Sequence, residues 1–305
     1  MNPEYRLSTL IKLLDDDDIW QQVAKDMIAK GVYIEHELRD ICYSNKMDLN
    51  EIQTERLEYV LQKINFTKVY HQFEDWLRNT DTSLLAPLLY LTQYIYPTFS
   101  VSETKIEDRI NDICDDIEVR LQANMTTFQM LSQVTEVLFT IYGMIVNDDP
   151  ETHNFALNYL LAYKRGHASL YVLLYIYIAQ RVGLSVFPVC YGKEIFAGAF
   201  NRSTGKFLKK SVKEVLKTPN HSDYYRPLDL LTDPSTGGSR LSKSDLNSIL
   251  KLYGLQPASK NIYPDTNVRA VYTLLINFKI TTDKSEENKA EEVNQLLELT
   301  GKYLT

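Results

Sequence analysis

Three features of the sequence predict a mostly helical α+β fold with a small antiparallel sheet. Apolar residues recur at helical spacing through nearly every segment up to Tyr163. Leu170 to Ala179 is an unbroken apolar run. It is too short to cross a bilayer, which takes about 20 residues, and a helix apolar on all sides belongs in a domain interior. Directly after it, Leu184 to Tyr191 and Ile195 to Phe200 are rich in branched and aromatic residues and read as two buried strands.

The composition supports a globular chain and narrows its partners. Its 305 residues are 44% hydrophobic and 24% charged, enough to bury a substantial core. The net charge of −7 argues against a nucleic-acid surface, which needs clustered Lys and Arg. Lys206, Lys209, Lys210 and Lys213 form the one basic cluster, and in and after a turn they read as a solvated face. Cys42, Cys114 and Cys190 are odd in number and far apart, which suggests neither a disulfide framework nor a metal site. No motif calls for a cofactor. No charged-then-apolar segment opens the chain, so a cytoplasmic location without membrane contact is expected. The 21 tyrosines carry no motif.

In chain order, Leu7, Leu10, Ile11 and Leu14 form one helical stripe and Ile19, Val23 and Met27 a second. Between them, Asp15 to Asp18 lack the alternating ligands and glycine of a calcium loop. They read as a turn whose last aspartate caps the next helix. Gly31 ends that helix and 32–44 holds another; such short pairs resemble HEAT-type repeats. Stripes follow over 49–64 and 69–77. Ser83 caps a helix to about Tyr94, and Tyr96-Pro97 forces an extended segment. Helices are then expected over 103–122, over 126–144 with Phe128, Leu131, Val134, Val137, Leu138 and Ile141 inward, and over 154–163, with a loop at 146–150. Gly183 suits a left-handed stop to the apolar helix. After Phe200, 201–205 reads as a hairpin turn and 206–212 as a strand, with 213–229 irregular. Leu230 to Gly238 reads as a strand end and turn, Ser242 as the cap of a helix to Tyr253, and 265–278 and 285–303 as closing helices.

Over 130–280 the chain resembles the SirB-type transglutaminase-like family. The resemblance rests on Asn154 and Asn158 in NFALNYLL, then Lys164-Arg165-Gly166, then a buried helix ending in Ala179-Gln-Arg-Val-Gly183. The strand Val186 to Tyr191 follows, and Thr232-Asp233-Pro234 with Gly237-Gly238 precedes the Ser242-capped helix. It implies a helical, HEAT-like region over 1–125, a transglutaminase-like (papain-like) core over 126–260 and C-terminal helices packed on it over 261–305.

The resemblance also implies a site. In active members a cysteine opens the buried helix, where the dipole and an imidazolium favour its thiolate. A histidine on the next strand is the base, and an Asp or Asn beyond it orients that base. Matched to this chain, the cysteine position holds Ala168, the histidine position falls at Glu194, and the third is kept as Asp233. Two of the three have lost the chemistry.

Replacements are few. Ser169 with His167 is one nucleophile–base candidate. Successive helical residues diverge by about 100°, however, so the two are not expected to face each other, and both suit capping of helix amides. Cys190 is a displaced thiol or, more simply, a small buried hydrophobe. Glu194 with Asp233 is a carboxylate pair, or a surface Glu beside an Asp-Pro turn. His221 lies in a polar loop. The expected function is therefore a non-catalytic binding or scaffold module for an unidentified protein or peptide partner. The alternative is an amide hydrolase or acyl transferase using Cys190 or Ser169 with His167 and Asp233.

Overall fold

The computed structural model describes residues 3–43, 47–79, 83–97, 103–201, 226–285 and 287–304. Among these residues are twelve α-helices, a two-stranded sheet and a four-stranded sheet. The mostly helical α+β fold with a small antiparallel sheet is as expected. The chain forms two compact units, one of residues 1–72 and 96–100 and the other of 73–95 and 101–305.

The first unit holds α1 (Pro3–Leu13), α2 (Trp20–Lys30), α3 (Val32–Tyr43) and most of α4 (Glu51–Arg78). Its core joins the expected stripes, with Leu7, Ile11 and Leu14 of the first helix region against Val23, Met27, Leu38, Leu57, Val60 and Leu61. The acidic turn is built differently from expectation. The residue at the N-cap of α2 is Ile19, with no side-chain cap. Asp18 therefore does not cap; Asp17 pairs with Arg56 and Asp15 accepts from Asn50 Nδ2. Apart from Leu49, which precedes it, both stripes expected over 49–64 and 69–77 lie on α4, because no Gly or Pro interrupts its 28 residues.

In the second unit α5 (Leu85–Ile95) starts where Ser83 Oγ accepts from Leu85 N, and α6 (Glu103–Glu118) follows. α7 (Thr127–Thr135) is capped by a reciprocal Thr126–Gln129 box. It then widens into a π-helical turn, Glu136–Ile141. The extra residue per turn shifts the helical phase, which is why Ile141, expected inward, is 46% exposed.

β1 (Ile145–Val146) leads through a 3₁₀ turn (Thr152–Phe155) to α8 (Leu157–Tyr163), β2 (Arg165–Gly166) and α9 (Ala168–Arg181). β1 and β2 pair in parallel, with Ile145 N donating to Lys164 O and Asn147 N to Gly166 O. The connection turns at Lys164, whose φ of 63° is left-handed. α8 has no cap of its own; Leu157 N donates instead to the buried Thr92 Oγ1 of α5 at 2.8 Å. From Ser169 to Ala179 every residue of α9 is buried, and Gly183 ends the helix at φ 87°.

β3 (Val186–Tyr191), β4 (Glu194–Ala199), β5 (Leu230–Asp233) and β6 (Ser239–Arg240) form the antiparallel sheet in that order. Gly192, at φ 60°, makes the tight β3–β4 turn that sets Tyr191 opposite Glu194. α10 (Lys243–Leu252), capped by Ser242 and Asp245, lays Leu246 and Leu250 against Val189, Phe196 and Leu231. α11 (Asn267–Ser285) packs on β3 and α9, and α12 (Glu287–Gly301) packs on α11. The strand expected over 206–212, the basic cluster and His221 lie outside the described residues.

Candidate functional site

The N-terminus of α9, the start of β4 and the end of β5 meet around a cleft of about 240 Å³. The tight turn after β3 fixes Lys193 and Glu194 at its edge, and the Asp233-Pro234 turn closes β5 beside them. Ala168, Glu194 and Asp233 all line this cleft, as do His167 and Ser169.

His167 is the N-cap of α9, with extended backbone (φ −62°, ψ 144°), so its ring folds back over the first turn. Nδ1 accepts from Ser169 N at 3.2 Å and lies 2.8 Å from Ser169 Oγ. The expectation that these side chains cannot meet is thereby overturned: the 100° step applies within a helix, and His167 stands just outside one. An acceptor Nδ1 places the neutral ring's proton on Nε2, which faces Asp148 Oδ1 at 3.8 Å. That separation is too long for a hydrogen bond. The same Oδ1 accepts from Ala168 N at 3.3 Å. The ring stacks on the buried Phe155, centroids 4.3 Å apart and planes 20° apart. Burial lowers the pKa of His167, Asp148 opposes this and Lys193 adds to it.

Glu194 is half-buried. Burial raises its pKa; Lys193 opposes, while Asp233 and Asp148 raise it further. Tyr253, at the end of α10, opposes that rise and lies under the Lys193 ammonium, 5.4 Å from ring centroid to Nζ. Asp233 is buried, but its Oδ1 accepts from Ser235 N at 3.0 Å and from Ser235 Oγ, capping its own turn. Asn277 Nδ2 donates to Lys193 O at 2.8 Å and pins the turn to α11.

Cys190 does not line the cleft. It lies on β3, its amide donates to Asp265 Oδ2 at 2.7 Å, and burial and Asp265 push its thiol up to about 12. A thiol held protonated and outside the cleft is not placed to act there with His167 and Asp233, which corrects the Cys190 alternative. Asp233, turned to Ser235, makes no hydrogen bond to His167; the carboxylate nearest that ring is Asp148.

Asp148, Lys193 and Tyr253 were missed by sequence reasoning. The Asn-Asp-Asp-Pro stretch signalled only a loop, and nothing local shows that β1–β2 pairing carries it to α9. Among the described residues no group of His, Cys, Asp and Glu suits a metal ion. Among them, too, no helix is long and apolar enough to cross a membrane.

No curated protein sequence and no solved structure matches the chain. A family model does: the transglutaminase-like superfamily matches residues 104–273, more than half of the chain. That span contains the apolar helix that begins at Ala168 and the sheet whose second strand opens on Glu194. The chain belongs to the transglutaminase-like superfamily.

Proposed function

We propose that this chain is a SirB-type member whose cleft binds a protein or peptide segment without transforming it. The reading divides the chain into a helical region over 1–125, a transglutaminase-like core over 126–260 and C-terminal helices over 261–305, and takes it as a cytoplasmic protein. One observation carries the binding function: the α9 N-terminus enters the cleft with Ala168 at its first position, and the nearest thiol in sequence, Cys190, lies outside. The cleft is otherwise suited to holding a side chain, with Val172, Ile195, Phe196 and Ile280 beside polar groups that fix orientation.

A second reading has one observation in its favour, the 2.8 Å contact of Ser169 Oγ with a neutral His167 Nδ1. That is the geometry of a hydroxyl beside a general base. Against it, Ser169 is only 4% exposed, and the contact spans two residues at a helix cap.

Peptide-display panning against the full chain separates the readings when paired with fluorophosphonate labelling. The binding reading expects peptides that bind the chain and lose at least about tenfold in affinity, a 1.4 kcal/mol difference, to Ala168→Trp, with no label on Ser169. Peptides indifferent to Ala168→Trp would sink it. Stoichiometric labelling lost in Ser169→Ala would replace it with the hydrolase reading.

A further inference from the structure

The two amides that open α9 both donate to side chains. Ser169 N donates to His167 Nδ1 and Ala168 N to Asp148 Oδ1. A neutral imidazole has one acceptor nitrogen, whereas an imidazolium has none. Once protonated, His167 can no longer receive the Ser169 amide, and Ser169 Oγ must turn from donor to acceptor at the new Nδ1–H. The ring also becomes a cation at the positive end of a helix dipole. Its best partner is then Asp148, already 3.8 Å from Nε2.

We propose that His167, Ser169 and Asp148 form a proton-operated cap on α9: the neutral ring closes the Ser169 amide, and protonation releases that amide while pairing the ring with Asp148, which keeps the Ala168 amide. The groups facing the ring support this arrangement. From the loop after β1 comes Asp148, which favours the charged ring, and from the β3–β4 turn comes Lys193, which opposes it. From the 3₁₀ turn comes the uncharged Phe155. Glu194 and Asp233 approach the same cleft from β4 and β5. Burial and Lys193 keep the ring neutral at ordinary pH, so the capped form is the resting one. Acid produces a different cleft, with the Ser169 amide released at the head of α9 and an imidazolium beside Asp148. The switch is independent of whether the cleft binds or reacts.

The test is a pH titration of the full chain with ¹⁵N-labelled histidine and backbone, following the His167 ring nitrogens and amide exchange at Ser169. The expected result is an Nε2–H tautomer at neutral pH. Exchange of the Ser169 amide, corrected for intrinsic pH dependence, should become about fivefold faster below the His167 midpoint, the factor for losing one ordinary cap. Asp148→Asn should lower that midpoint. His167→Asn, which caps but does not titrate, should abolish the pH dependence at Ser169. An Nδ1–H tautomer at neutral pH, a Ser169 amide indifferent to the titration, an unmoved midpoint in Asp148→Asn, or an unchanged pH dependence in His167→Asn would each overturn the proposal.

Discussion

Phe155 links the core to the cleft, and truncating it tests that link quantitatively. Its ring is fully buried, stacked on His167 and set edge-on to Phe278 at 5.3 Å and 65°. Phe155→Ala removes a buried aromatic side chain and leaves a cavity, which costs about 3–5 kcal/mol. About 0.5–1.5 kcal/mol of that belongs to each aromatic pair. The loss is read from urea unfolding followed by circular dichroism, as a lower midpoint at unchanged slope. A second readout is His167 itself. Burial is the main cause of its lowered pKa, so removing the ring should move its titration back up. The linkage sign follows: a lowered histidine contributes stability above its unfolded pKa of about 6.5, lost as pH falls through the folded value. Wild type should lose more stability on acidification than Phe155→Ala. A stability loss under about 1 kcal/mol, the size of an ordinary surface change, or an unmoved His167 titration would refute the reasoning.

Three further outcomes are expected. Thr92→Val keeps the shape but strips the acceptor from Leu157 N; an orphaned buried donor should cost about 1–3 kcal/mol in urea unfolding, and Thr92→Ser should recover most of it. Gly238→Ala places a methyl 2.3 Å from Thr135 Oγ1 at a φ of 69°, so a loss above about 1 kcal/mol is expected; a pair with Thr135→Ala that is strictly additive would show that the clash is not real. Glu194 has a raised pKa, so its contribution is full below the ordinary glutamate value of about 4.3 and falls as pH rises through the folded value. Glu194→Gln should therefore stabilise the chain at neutral pH and have little effect below about pH 4. A gain that does not vary with pH would point to packing instead.

What was legible in the sequence was what adjacent residues decide. The apolar run with Gly183 behind it marked α9, the branched segments marked β3 and β4, and Ser242 marked α10. Each is a periodicity or a cap within a few residues. The misses depend on partners distant in sequence or on helix phase. Asp18 did not cap α2, and its neighbour Asp17 turned to Arg56, 39 residues away. The π-helical turn after Thr135 has no side-chain signature and moved Ile141 outward. In the site, Ala168, Glu194 and Asp233 were placed by resemblance. The His167–Ser169 contact depended on one backbone angle at a helix boundary, where sequence reading is least sharp.

The short β1–β2 pairing separates geometry from chemistry in this cleft. The loop bearing Asp148 is registered against the head of α9 by main-chain bonds from Ile145 N to Lys164 O and from Asn147 N to Gly166 O. Those bonds involve no side chain of the cleft. Exchanging Asp148, His167, Ala168 or Ser169 therefore alters what the cleft presents while leaving the spacing of those positions in place. For anyone refitting this scaffold, the frame is already assembled, and new chemistry can be written into four neighbouring side chains.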